Sequence, residues 1–239
     1  MLKKYFVSFI LFCLMAGSAF SQGRETTAKF QDGKHPVFTE DYNFPTAIVT
    51  NVIAQRLKKD GLSPTSRRGT ISSLGRPYPI LSSDTLDMYF QVEGRGKKGR
   101  DGSTVNFFIA KGGNNFIGES DDPSLSRKAI RYLDDLRHDI AVSGLQQQIK
   151  QQEKSIDDAA RDYKKLLKDN RKLESKRYKL QGELSGETDL NQQNKIRKKI
   201  EKLDKSIYSK QTAMSNGQRD LQQRKAQLSV LQEQLRSVK

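Results

Sequence analysis

Two apolar rows repeating every seven residues run through the last 95 residues, and they leave that stretch few ways to fold. One row collects Ile149, Ile156, Tyr163, Asn170, Arg177 and Leu184. The other runs through Leu145, Gln152, Ala159, Leu166, Leu173 and Leu180. Rows offset by three and four are the a and d positions of a heptad, which place one apolar stripe along an α-helix. After "SGETD" the period resumes with Ile200, Ile207, Met214, Leu221, Leu228 and Leu235. Ile196, Leu203, Leu231 and Val238 begin and end its companion row, whose middle is Lys210, Gly217 and Arg224. Gly186 breaks the first helix and Asp189 can cap the second. A joint of about five residues connects antiparallel neighbours. The expectation is therefore a long antiparallel coiled-coil helical hairpin over 142–239, turning near 185–189, with arms of about 60–70 Å. Polar seam residues Asn170, Arg177, Lys210 and Arg224 fix register at some cost in stability.

The same stretch is the basic half of the chain. Of the net charge of +15, residues 145–239 supply 23 Lys and Arg against 13 acids, and residues 22–144 supply 18 against 15. The densest run, "RDYKKLLKDNRKLESKRYKL" at 161–180, holds nine Lys or Arg against three acids. Nearly all these cations lie off the apolar stripe, Arg177 being the exception. They read as the solvated flank of a coiled coil, the usual meaning of such a run.

The N-terminus sets the expected compartment. Lys3 and Lys4 precede an apolar run from Tyr5 to about Ala16, and Ala19 and Ser21 are spaced as a signal peptidase requires. Residues 1–21 are expected to be a signal peptide cleaved before Gln22. The run is short of the roughly 20 residues that cross a bilayer. Cys13, the single cysteine, falls within that leader, so the mature chain would carry no disulfide, thiol nucleophile or thiolate metal site. The expected location is the periplasm or the secreted fraction, where no nucleic acid is expected as a partner.

Between leader and hairpin, residues 22–43 are polar and turn-rich and read as a flexible leader or at most one edge strand, and 44–141 as a small α+β domain. Pro45 suits a first helical position, and Ile48, Val49, Val52, Ile53 and Leu57 make one apolar face ending at Gly61. "TLDMYFQVE" and "TVNFFIA" alternate strictly, with Leu86, Met88, Phe90 and Val92 inward on one and Val105, Phe107 and Ile109 on the other. Asp122 and Pro123 open a second helix with Leu125, Ala129, Leu133 and Leu136 inward. The fold class expected is α+β, a small antiparallel sheet of two to four strands with two helices on one face, followed by the helical hairpin.

The vocabulary for catalysis is thin. His35 and His138 stand alone, "KGGNNF" at 111–116 reads as a strand-ending turn, and Asp121, Asp122, Asp134, Asp135 and Asp139 have cheaper roles as caps or a solvated helix face. No enzyme, metal or cofactor is expected. Two features could make contacts. The Gly-rich hairpin tip carries Arg95, Lys97, Lys98 and Arg100, suited to an anionic polymer or headgroup, or simply solvated. A turn centred between Lys98 and Gly99 sets Tyr89 opposite Phe108, either plain cross-strand packing or an exposed spot for a partner.

In its heptads the hairpin resembles those of murein-hydrolase activators and of periplasmic adaptor subunits of efflux assemblies, over about the last 95 residues. The resemblance implies a rod that reaches a partner and carries over no site residues. The expected function is a non-enzymatic exported scaffold or adaptor of the cell envelope, with recognition in the α+β domain. The alternatives are an accessory or regulator of a cell-wall enzyme or a binder of an anionic envelope polymer, and, behind these, an enzyme with a carboxylate site. Another envelope protein, an anionic wall polymer or a membrane surface are the partners this allows, with homo-oligomers through the coiled coil.

Overall fold

The computed structural model describes residues 23–96 and 101–238. The apolar leader and the expected cleavage before Gln22 lie outside the described residues. The chain divides into two compact units, one ending at Gly144 and the other beginning at Leu145.

The first unit is α+β, with six antiparallel strands rather than two to four. In chain order it contains β1 (Arg24–Phe30), β2 (Gly33–Tyr42), α1 (Thr46–Lys59), β3 (Thr65–Arg67), β4 (Thr70–Tyr78), β5 (Ser82–Arg95), β6 (Gly102–Ala110) and the start of α2 (Pro123–Gly186). The strand order is β1-β2-β6-β5-β4-β3. The segment expected as a flexible leader or at most one edge strand is instead, over 24–42, a hairpin whose second strand pairs with β6, Phe38 opposite Phe107. It escapes pattern reading because β2 buries Thr39 and Glu40 beside Val37 and Phe38, which blurs the alternation of period two.

The expected inward faces pack as one core. Leu86, Met88, Phe90 and Val92 of β5 and Val105, Phe107 and Ile109 of β6 meet Ile48, Val49, Val52, Ile53 and Leu57 of α1 and Leu125, Ala129, Leu133 and Leu136 of α2. Phe90 and Phe107 stack with centroids 4.1 Å apart, and Tyr132 closes on both at 5.9 Å. Pro45 stands just ahead of α1, its carbonyl accepting from the Ile48 and Val49 amides. At the other end Gly61 turns the chain with φ of 85°, and the Leu62 amide bonds back to the Leu57 carbonyl, a left-handed closure that glycine adopts without strain.

The Asp122 carboxylate caps α2 through the Leu125 amide at 3.0 Å. That helix does not stop near 141. It runs on to Gly186, 64 residues in all, and passes through Gly144 at a point of close approach: a Cβ there would fall 2.1 Å from the Phe44 ring.

In the second unit the rest of α2 is followed by a short connection and α3 (Leu190–Val238, 49 residues). Asp189 caps α3 through the Asn191 amide at 2.6 Å. Contacts descend along α3 as they ascend along α2. Gln152 donates to the Arg224 carbonyl (2.9 Å), Lys210 meets Asp169 (3.7 Å), and Arg177 meets Asp204 (2.5 Å). The two segments therefore run antiparallel. Every residue of the heptad rows is buried or half-buried, although Ile207 and Asn170 alone among them are fully buried. A pair of helices shields one stripe only, so its flanks stay wet.

Candidate functional site

The sequence candidates fare differently. The cationic tip is only partly described: Lys97, Lys98 and Arg100 lie outside the described residues. Arg95 is engaged at the strand ends. Its Nη2 donates to the Tyr42 carbonyl (3.3 Å) and to Asn43 Oδ1 (3.1 Å), and its Nη1 lies 3.5 Å from Asp41 Oδ2. Arg95 thus ties the end of β5 to the end of β2, which restrains the base of the tip.

Tyr89 and Phe108 are cross-strand partners in the β5–β6 register. They do not form an exposed spot. Phe108 is fully buried, stacked on Phe30 at 4.5 Å and edge-on to Phe116 at 6.1 Å, within a second apolar cluster that includes Val37 and Ala110. Tyr89 is half-buried at its margin, 5.0 Å from the Phe30 ring. The correction follows from the extra strands. Phe30 ends β1, Val37 lies in β2, and the turn after β6 returns Phe116, so the face away from the helices has its own cover.

The aspartates are dispersed among structural tasks. Asp121 accepts from the Gly118 amide, Asp122 caps α2 and meets Lys111, and Asp139 pairs with Arg56 at 2.8 Å. His35 packs on Phe116 at 4.1 Å, and "KGGNNF" is a tight turn with Gly112 and Gly113 at positive φ.

A charged cluster inside the α+β unit was not legible in the sequence. Glu40, on the helix-facing side of β2 between Phe38 and Tyr42, is 1% exposed. Arg137, one face of α2 down from Leu133, donates from Nη2 to Glu40 Oε1. The Tyr42 hydroxyl donates to the Leu133 carbonyl at 2.8 Å, and the Arg137 guanidinium sits 5.9 Å from the Tyr42 ring centroid. Glu40 Oε2 is buried without a hydrogen-bond partner. Asp134 stands nearby, receiving the Gly23 amide at 3.5 Å. Burial pushes the Glu40 carboxyl up to about 7, against the opposing pull of Arg137 and with a further push from Asp134. The cluster can hold or release a proton near neutrality. Its signal in the sequence was an acid flanked two residues away by aromatics, in a segment whose strand pattern was missed.

A second polar network ties α1 to β4 and α2. The Tyr78 hydroxyl donates to Asp60 Oδ2 at 2.6 Å, and Arg56 bridges Asp60 (3.2 Å) and Asp139 (2.8 Å). Burial drives the Tyr78 hydroxyl far above its ordinary value, so it is a fixed donor. Among the described residues no group of three or more His, Cys, Asp or Glu is placed to hold a metal ion.

Comparisons with protein-family models, with curated proteins and with solved structures gave no match.

Proposed function

We propose that this protein is an exported, non-enzymatic scaffold or adaptor of the cell envelope. In this reading the antiparallel helices form a coiled-coil rod that supplies reach, and the α+β unit supplies recognition. The observation that carries it is the helix pair itself. An α3 of 49 residues extends about 74 Å, and its heptad residues all take the shielded positions opposite α2. A pair that long buries little per residue, so its length serves distance better than stability. For recognition, the Tyr89–Phe108 pair, with Phe108 buried, gives way to Leu74 and Ile80, which are 53% and 46% exposed at the β4–β5 end, and to the cationic tip. Leu74 sits at an irregularity in the β4–β5 register, where a bulge re-aims a side chain outward.

The test is complementation of a deletion strain that has an envelope defect. Leu173→Pro breaks α2 within the second unit, costing about 3 kcal/mol or more locally, and should fail to complement while the α+β unit stays folded. Glu40→Gln should complement, since it removes a buried carboxyl tuned towards neutrality without touching the rod. Rescue by Leu173→Pro overturns the reading, and loss of function in a folded Glu40→Gln protein favours an enzyme. Intact mass beginning at Gln22 checks export, and spin labels at 154 and 220 giving short intramolecular distances at high dilution check the hairpin.

A further inference from the structure

We propose that the outward face of α2 between Arg161 and Lys179 is a docking surface for an anionic lipid bilayer. At about 100° per residue, Arg161, Lys164, Lys165, Lys168, Arg171, Lys172, Lys176 and Lys179 all lie within about 80° of the direction of Lys168. Tyr163, Leu166, Asn170, Leu173 and Arg177 lie within about 40° of the opposite direction. Contacts with α3 fix which side is which. A Cβ on Gly217 would meet the Tyr163 ring at 3.3 Å, and Arg177 meets Asp204. The cations therefore point away from α3, and all eight are exposed.

The face carries no compensating charge of its own. The three acids of this run, Asp162, Asp169 and Glu174, stand about 100° or more from Lys168, and Asp157 and Glu183 close the face at its two ends. Of the eight cations, Arg161 alone has an acidic partner among the described residues, Asp158. Eight like charges along about 27 Å of helix repel one another. Such an array is stabilised by whatever supplies anions to all of it together.

Its shape selects the supplier. The face is one side of a single helix and several columns wide; the open depression on it is lined by the cationic side chains themselves, among them Lys164, Lys168, Arg171 and Lys172, and no row of aromatics lines it on which sugars or bases would stack. A bilayer presents a plane of mobile anionic headgroups that can gather under every column. Long Lys and Arg stems lie flat along such a plane with their charges in the headgroup layer. Tyr178, 78% exposed at the edge of the face, is the amphipathic side chain that favours that depth. Among the described residues no helix is long and apolar enough to cross a membrane. This inference stands on the helix face and does not require the adaptor reading.

The experiment is sedimentation of the purified full chain with two kinds of vesicle, phosphatidylcholine alone and phosphatidylcholine mixed equally with phosphatidylglycerol. Any contribution of the apolar leader is common to all chains and both vesicles. Binding should need phosphatidylglycerol and should be released at about 1 M salt, where the Debye length falls to about 3 Å. Neutralising Lys164, Lys168, Arg171 and Lys172 together to Gln, a good helix former, should weaken partitioning by about 10²–10³-fold, at about fivefold per cation. Neutralising Lys29, Lys34, Arg67 and Arg76 to Gln removes the same net charge from the α+β unit and should change it by less than about tenfold. Equal losses from the two quadruple variants overturn the proposal by making net charge the cause. So does indifference to phosphatidylglycerol, or capture of a soluble polyphosphate by this face in a chain that ignores the vesicles.

Discussion

Glu40→Gln should remove a pH dependence that wild type carries inside its α+β unit. The carboxyl is raised from 4.5 to about 7, chiefly because ionisation there strips it of water, with Arg137 offsetting only part of the loss. The folded chain therefore holds this proton to higher pH than the unfolded chain does. Glu40 contributes its full stability below about pH 4.5, loses it as pH rises through about 7, and changes little above that. At about 1.4 kcal/mol per decade the swing reaches about 3 kcal/mol. The amide of Gln has the same shape and stays neutral throughout. Near pH 5 the two proteins should differ little. Near pH 8 the variant should gain up to about 3 kcal/mol on wild type, or about 10 °C in Tm for a unit of this size. Urea titrations followed by tyrosine near-UV circular dichroism suit the purpose, because Tyr42, Tyr78 and Tyr132 are buried in this unit and the chain has no Trp. Parallel pH profiles for the two proteins would refute the reasoning. A wild type that gains on the variant towards pH 8 would show that attraction to Arg137 outweighs desolvation.

Three further outcomes are expected. Phe108→Ala should destabilise the α+β unit by about 3–5 kcal/mol in urea titration, whereas an exposed aromatic would give well under about 1 kcal/mol. Gly217→Ala should stabilise the helical unit by up to about 1 kcal/mol in thermal melts read at 222 nm, because removing a mid-helix glycine outweighs moving the flexible Tyr163 ring, 3.3 Å from the new Cβ. A double-mutant cycle on Arg177→Gln and Asp204→Asn should return a coupling below about 1 kcal/mol, since both side chains are more than a third exposed.

The elements legible in the sequence are those whose cause is local. A heptad needs only residues three and four apart, so the seam of α2 and α3 could be written down row by row, Tyr163, Asn170 and Arg177 included. Caps are equally local: Asp122 and Asp189 hold amides two or three residues on. The pairing of Tyr89 with Phe108 follows from counting outward from one turn. What tertiary structure decided is which of these surfaces meets water. Whether Phe108 was packed or exposed stayed open in the sequence because the strands that bring its cover carry Thr39 and Glu40 among their buried residues, which spoils the alternation by which strands are recognised. Glu40 itself takes its raised carboxyl from burial, which Arg137, 97 residues away along the chain, only partly offsets. Gly144, a helix breaker by propensity, sits within one helix because the Phe44 ring needs the room. Burial depends on what packs from elsewhere in the chain, and no local period encodes that.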